Sequence, residues 1–233
     1  DAATQVQIRL GNLEDVERSE GEEIGLRVFV GKRSATVSSS DMDPKILSAL
    51  VGRALDMARE APEDEYAGLA PEDLLLKAEP HPIEGDDGQD PEPELLRELA
   101  LKAEDAARAV NGVTNSEGGG ASAGRSIVAL ATSHGFSGAY STSGYSLSAS
   151  VIAGDGDGME RDYAYDSVRF LEDLENPENI GKEAGERAVS RLNPVDFKSG
   201  AMPVVYDPRV GNSLLGHFVG AIAGAAIARK TSF

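Results

Sequence analysis

An α+β domain, with a mixed or mostly antiparallel sheet and about four flanking helices, is the fold class this sequence predicts. Three observations lead there. Period-two runs open the chain. Amphipathic helical stripes then interrupt it at intervals, and a long middle rich in Gly, Ser, Ala and Thr carries further strand-like runs without a fixed-period repeat. With 233 residues and 40% hydrophobic side chains, there is enough apolar material for a sizeable core.

Val6, Ile8 and Leu10 alternate with Gln7 and Arg9, the pattern of a half-buried strand. Ile24, Leu26, Val28 and Val30 repeat it, and Gly31-Lys32 turns the chain into Ala35-Thr36-Val37, which predicts a hairpin or meander. The period then changes. Asp43-Pro44 supplies a cap and a first-turn proline to a stripe of Ile46, Leu47, Leu50, Val51, Ala54, Leu55 and Ala58, which stops before Pro62. Leu95, Leu96, Leu99, Ala103, Ala106 and Val110 predict a second helix, closed by Gly112. Ile127–Ala131, Tyr145–Ile152 and Met159–Ser167 read as strands. Asn176-Pro177 opens a third helix with Ile180, Ala184, Ala188 and Leu192 on one face. Met202–Tyr206 reads as a short buried strand, and Asp207-Pro208 caps a fourth helix expected to run to about Ala228.

Charge divides the chain further. Lys and Arg number 22 against 40 Asp and Glu, a formal charge of −18. Glu60–Glu94 alone holds 13 acids and one base, Lys77, together with six prolines. That composition predicts an extended, solvated linker at 60–94 within an N-terminal domain of residues 1–200, with 201–233 as the truncated start of a second domain. Both chain ends are read as cuts in a longer protein. The acid excess excludes a protein that coats duplex nucleic acid. The absence of cysteine excludes disulfides, thiolate zinc sites and a cysteine nucleophile, and fits a cytoplasmic location.

Residues 210–228 carry no charge and place Gly216, Gly220 and Gly224 at every fourth position. The stretch is weakly hydrophobic, so a packed core helix is expected and no membrane span. Asp155-Gly156-Asp157-Gly158 lacks the remaining ligands of a calcium loop and reads as a turn. The only histidines are His81, His134 and His217, and no two lie within one helical turn. His134, flanked by Ser133 and Phe136, is the most site-like of them. These three residues are candidate groove lining, and an unrecognised hydrolase site around Ser133 and His134 is one reading they allow.

A set of phrases in fixed order resembles the family of bacterial modulators of DNA gyrase, TldD and PmbA (also called TldE). They are Val16-Glu17-Arg18-Ser19, Gly25-Leu26-Arg27-Val28, Ala61-Pro62-Glu63-Asp64, Thr132-Ser133-His134-Gly135-Phe136, Met159-Glu160-Arg161-Asp162, Arg191-Leu192-Asn193-Pro194 and Pro203-Val204-Val205-Tyr206-Asp207-Pro208. The resemblance covers nearly all of the chain but the first half of a family member, and is strongest to the PmbA branch. It implies a subunit of a cytoplasmic metalloprotease complex acting on peptides or unfolded small proteins, in microcin-type precursor maturation and antitoxin degradation. It also implies a TldD-type partner subunit holding zinc, with a homodimer as a second arrangement. In the TldD branch a helix after Leu-Leu carries His-Glu-x-x-x-His. Here the residues after Leu214-Leu215 place Gly216 and Ala221 where ligands would be and His217 where the Glu would be. The resemblance therefore implies no catalytic and no metal-binding residue in this chain. The competing reading is a non-enzymatic interaction module, whose acidic segment docks a basic partner such as a gyrase-associated protein.

Overall fold

The computed structural model describes residues 1–78 and 80–232. Glu79, one of the acids of the 60–94 stretch, and the terminal Phe233 lie outside the described residues. The chain divides into two compact units, Asp1–Asn193 and Pro194–Phe233.

The first unit is organised by an antiparallel five-stranded sheet. Its strands are β1 (Ala2–Arg9), β2 (Asn12–Glu20), β5 (Val113–Ala131), β6 (Ser137–Ala153) and β7 (Glu160–Val168), in the spatial order β2-β1-β5-β6-β7. A separate hairpin of β3 (Ile24–Val30) and β4 (Arg33–Ser39) is covered by α1 (Pro44–Glu60) through Leu50, Ala54 and Ala58. Arg33 ties the two together, donating to the carbonyls of Arg59 and Ala61 at the carboxyl end of α1. The N-terminal strands thus pair as two hairpins in two different sheets, and β2 is a strand that the charged sequence Glu14–Glu20 conceals.

Two helices, α2 (Pro93–Arg108) and α3 (Pro177–Ser190), cover one face of the large sheet. The core between them is Val6, Ile8, Leu96, Leu147, Val151 and Ile180, filled in by alanines. Small side chains let the helices approach closely. A Cβ on Gly181 would stand 2.1 Å from the Ala103 carbonyl oxygen, and one on Gly185 2.5 Å from a Val110 methyl. Glu104 of α2 is fully buried beneath the β1–β2 turn. Its carboxylate accepts the backbone N–H groups of Leu10 (2.7 Å) and Gly11 (2.8 Å) and the Ser116 hydroxyl (2.6 Å). These bonds hold Leu10 and Gly11 in the left-handed conformation (φ 51° and 77°) that a two-residue hairpin turn requires.

Several expected elements differ. The strand-like runs at 127–131 and 145–152 are parts of β5 and β6, which extend through the glycines and serines because neighbouring strands supply the ladder that local propensity does not. Among the described residues of the 60–94 segment, between α1 and α2, the regular structure is one short 3₁₀ turn at Glu72–Leu74, but the distal part is not a solvated linker. Gly85, Asp86 and Asp87 are docked onto β6 and β5, where the Ser143 N–H donates to Gly85 O at 2.8 Å and Arg125 to Asp86 at 2.8 Å.

In the second unit, Met202–Tyr206 is exposed and forms no strand, because no other described segment pairs with its backbone. The helix expected to reach Ala228 is two helices, α4 (Pro208–Ala221) and α5 (Gly224–Ala228). Ala223 turns extended (ψ 125°) between Gly220 and Gly224, where helix propensity is lowest. Neither helix contains a buried residue, so the packed core helix expected at 210–228 is absent among the described residues. No helix of the described residues is long and apolar enough to cross a membrane.

Candidate functional site

The two sets of residues singled out from sequence lie in different units. Asp207 caps α4, its carboxylate accepting the Arg209 N–H at 2.9 Å, and Pro208 opens the first turn. Along that helix Gly216 and His217 are exposed and Ala221 half-buried. Glycine and alanine present no lone pair to a metal, so His217 is the one side chain of the three that could ligate. The residues present do not fit a metal ion. No cluster of three or more His, Cys, Asp or Glu side chains with metal-binding geometry occurs among the described residues. Beside them Phe218, Ala221, Ile222, Ile227, Lys230 and Ser232 line an open hollow of about 670 Å³.

Ser133 and His134 sit at the exposed apex of the β5–β6 turn. That turn is closed by hydrogen bonds from Thr132 N–H to Phe136 O (2.9 Å) and from Gly135 N–H to Thr132 O (3.0 Å). The half-buried Phe136 ring folds back over Gly138. No hydrogen bond joins the Ser133 or His134 side chain to another described residue, so the structure brings no nucleophile–base–carboxylate constellation together there. Asp155 and Asp157 occupy a short 3₁₀ turn and are exposed.

Two polar features escaped the sequence reading. On the sheet face away from the helices, Gln7, Glu117, Gly118, Gly120, Ser148 and Arg161 border a hollow of about 560 Å³. Glu117 accepts the Ser150 hydroxyl at 2.8 Å and Arg161 at 3.0 Å. The Ser150 hydrogen bond, aided by Arg161 and opposed by partial burial, holds the Glu117 carboxyl below its ordinary range. The alternation Ser146-Leu147-Ser148-Ala149-Ser150-Val151 carries the signal of this polar face. The second feature is Asp87, which accepts the Tyr145 hydroxyl (2.6 Å) and the N–H groups of Leu171 (2.8 Å) and Gln89 (3.0 Å). Burial pushes the Asp87 carboxyl up, but those hydrogen bonds outweigh it and hold it at about 2.

With this geometry in place, the chain can be set against known proteins. Two family models match it, PmbA/TldA metallopeptidase domain 1 over residues 2–58 and the PmbA/TldA metallopeptidase central domain over residues 86–192. It is 37% identical to metalloprotease PmbA of Escherichia coli O157:H7 over 234 residues, covering 98% of this chain and 51% of that one. It is 34% identical to a metalloprotease PmbA homolog of Haemophilus influenzae over 229 residues, again 98% and 51%. A crystal structure named for a modulator of DNA gyrase from Bacteroides thetaiotaomicron superimposes with a TM-score of 0.89 at 24% identity, over 100% of this chain and 53% of that one. TldE from Thermococcus kodakarensis gives 0.75 at 17%, over 99% and 52%. At those identities the two structures show a shared fold.

The sheet, its helices and the matched segments together define the class, a scaffold of first and central metallopeptidase domains. The chain belongs to the PmbA/TldD family. It spans about half the length of the curated relatives it matches.

Proposed function

We propose that this chain serves in a PmbA/TldD-type metalloprotease as a PmbA-type subunit that holds no metal of its own. A TldD-type subunit would supply the zinc and the catalytic base. The substrates would be peptides or unfolded small proteins, including microcin-type precursors and labile antitoxins, and the setting the cytoplasm. What supports this reading is the sequence after Leu214-Leu215, where the resemblance to the TldD branch would put two ligands and a base at Gly216, Ala221 and His217. The family relation supplies the protease context, and the curated relatives are themselves named metalloprotease PmbA.

The interaction-module reading has less support. Asp86 and Asp87 of the acidic stretch are engaged by Arg125 and Tyr145, and Asp90 is paired with Arg18, all within the same unit.

The deciding experiment measures zinc content and peptide hydrolysis for this chain alone, for a TldD-type subunit alone and for the mixture. Hydrolysis that needs the partner, with zinc only in the partner, is the expected result. Stoichiometric zinc and turnover in this chain by itself would overturn the reading.

A further inference from the structure

We propose that the turn Asn111-Gly112, between α2 and β5, is a self-modification site at which the chain converts Asn111 to aspartyl and isoaspartyl residues. The isoaspartyl form loosens the junction of α2, α3, β5 and β6. The reaction needs neither metal nor partner subunit, and so stands apart from the protease function above.

Glycine has no Cβ to crowd the approach of its nitrogen to the preceding side chain. The Gly112 nitrogen attacks Asn111 Cγ, so that an N–Cγ bond forms and the Cγ–Nδ2 bond breaks. The side-chain nitrogen leaves with the Gly112 proton as ammonia, and a five-membered succinimide remains. Water then opens the ring at one of its two carbonyls. Opening at Cγ gives aspartate. Opening at the main-chain carbonyl gives isoaspartate, whose backbone runs through Cβ and Cγ and is one methylene longer. No oxidant or reductant takes part.

The structure leaves both reacting groups accessible. Asn111 and Gly112 are exposed, and neither the Asn111 side chain nor the Gly112 N–H has a hydrogen-bond partner among the described residues. Gly112 adopts a φ of 101°, and the pair forms the centre of a turn closed by one bond, from Val113 N–H to Val110 O at 3.1 Å. The other asparagines are blocked. Asn176 and Asn193 precede proline, which has no N–H. Asn115 Oδ1 already accepts the N–H of the next residue, Ser116, at 2.8 Å. Asn12 donates to Leu10 O and Asn179 to Glu175, and each precedes a bulky side chain. Asn212 lies inside α4, where the helical ladder holds the following N–H. Among the Asp-Gly pairs, Gly88 N–H is taken by Asp86 at 2.9 Å and Gly158 N–H by Asp155 O at 3.1 Å. At Asp155-Gly156 the ionised carboxylate is a poorer electrophile than an amide.

The turn ties four elements together. A Cβ at Gly185 of α3 would stand 2.5 Å from a Val110 methyl, and one at Gly112 would stand 3.1 Å from a methyl of Val189. Gly154, just past β6, donates its N–H to Gly112 O at 3.1 Å. A longer backbone between Val110 and Val113 cannot keep Val110 against α3 and Val113 in register with Ala153. The new carboxylate also stands at the negative end of the α2 dipole.

The test ages the 233-residue chain at neutral and at mildly alkaline pH, then adds isoaspartyl carboxyl methyltransferase and labelled S-adenosylmethionine. Trypsin separates residues 109–125, which contain Asn111 and no aspartate, from 126–161, which contain Asp155 and Asp157. Methyl label and the amide-to-acid mass gain should accumulate in 109–125 at least ~10-fold faster than in any other tryptic peptide, and faster at the higher pH. The aged chain should unfold at a lower urea concentration than the fresh one, with faster amide exchange at 110–114. Asn111→Gln should take up no label in 109–125 and keep the urea midpoint of the fresh chain throughout. Label that persists in Asn111→Gln, label concentrated in 126–161, or reaction seen only in the urea-unfolded chain would overturn the proposal. So would an aged, labelled chain with the urea midpoint of the fresh one.

Discussion

At the scale of single residues, the most connected polar group is the Asp87 carboxylate, which joins the acidic segment to the sheet through Tyr145 and to the start of a 3₁₀ turn through Leu171. An unperturbed aspartate titrates near ~3.9, and Asp87 is held at about 2 in the folded protein. Its stabilisation is therefore complete above the unfolded value and is lost as pH falls from ~4 through about 2. Tyr145 is pushed up to about 12 by burial and by Asp87, so its neutral hydroxyl stabilises the fold below the ordinary tyrosine range and is lost as pH rises through that value. Replacing Tyr145 by Phe removes a hydrogen bond to a charged acceptor and should cost about 2 kcal/mol at neutral pH. It should also raise the midpoint of acid unfolding followed by circular dichroism. An unchanged acid midpoint would show that the carboxylate is held by its backbone donors alone.

At the scale of elements, the contact of α2 with α3 reverses the usual helix preference. Alanine normally stabilises an exposed helical position over glycine by about 1 kcal/mol. At Gly181 the added methyl would meet the Ala103 carbonyl, the Ala106 methyl at 2.8 Å and the Ala107 nitrogen at 2.9 Å. None of these is the end of a flexible side chain, so the helices would have to move apart. Gly181→Ala should lower stability by ~2 kcal/mol or more in urea unfolding. Gly216→Ala in α4, where nothing lies within 4 Å, serves as the control and should not destabilise. A neutral or stabilising Gly181→Ala would mean that the two helices pack less closely than described. The same helices show what was legible in the sequence. Asp43-Pro44, Asn176-Pro177 and Asp207-Pro208 each mark a helix start because the capping carboxylate or amide accepts an N–H two residues on, a local bond independent of the rest of the fold. β2, the glycine-rich part of β5 and the anchoring of Asp87 were not legible. β2 adjoins its partner β1 but is hidden by its run of charges, whereas the other two depend on partners distant in sequence: Ala2–Ile8 for β5 and Tyr145 for Asp87. For the candidate site, Gly216, His217 and Ala221 are named by the sequence alone, whereas the polar hollow beside Glu117 appears only once β5, β6 and β7 lie side by side.

At the scale of the whole molecule, the five-stranded sheet is shared between the two segments matched by separate family domain models. β1 belongs to the first segment, yet it lies between β2 and β5, and β5 belongs to the second. Val6 and Ile8 of β1 are buried in the same core as Leu96, Leu147 and Ile180. The exposed connection between the two segments can therefore be cut without separating them. Tyr66 (79% exposed) and Leu74 (72%) offer chymotrypsin sites there, and Phe197 (79%) and Tyr206 (52%) offer sites just beyond the first unit. Brief digestion should cut in both places, because short exposed segments with few internal bonds open at little cost. The consequences should differ. Cleavage after Phe197 or Tyr206 should leave the first unit with its cooperative thermal transition unchanged. Cleavage after Tyr66 or Leu74 should leave two pieces that co-elute by size exclusion and separate only in denaturant, since β1 is hydrogen-bonded to β5 along seven residue pairs. Separation of the nicked pieces under native conditions would show that each matched segment folds by itself and that the shared sheet contributes little to holding them together.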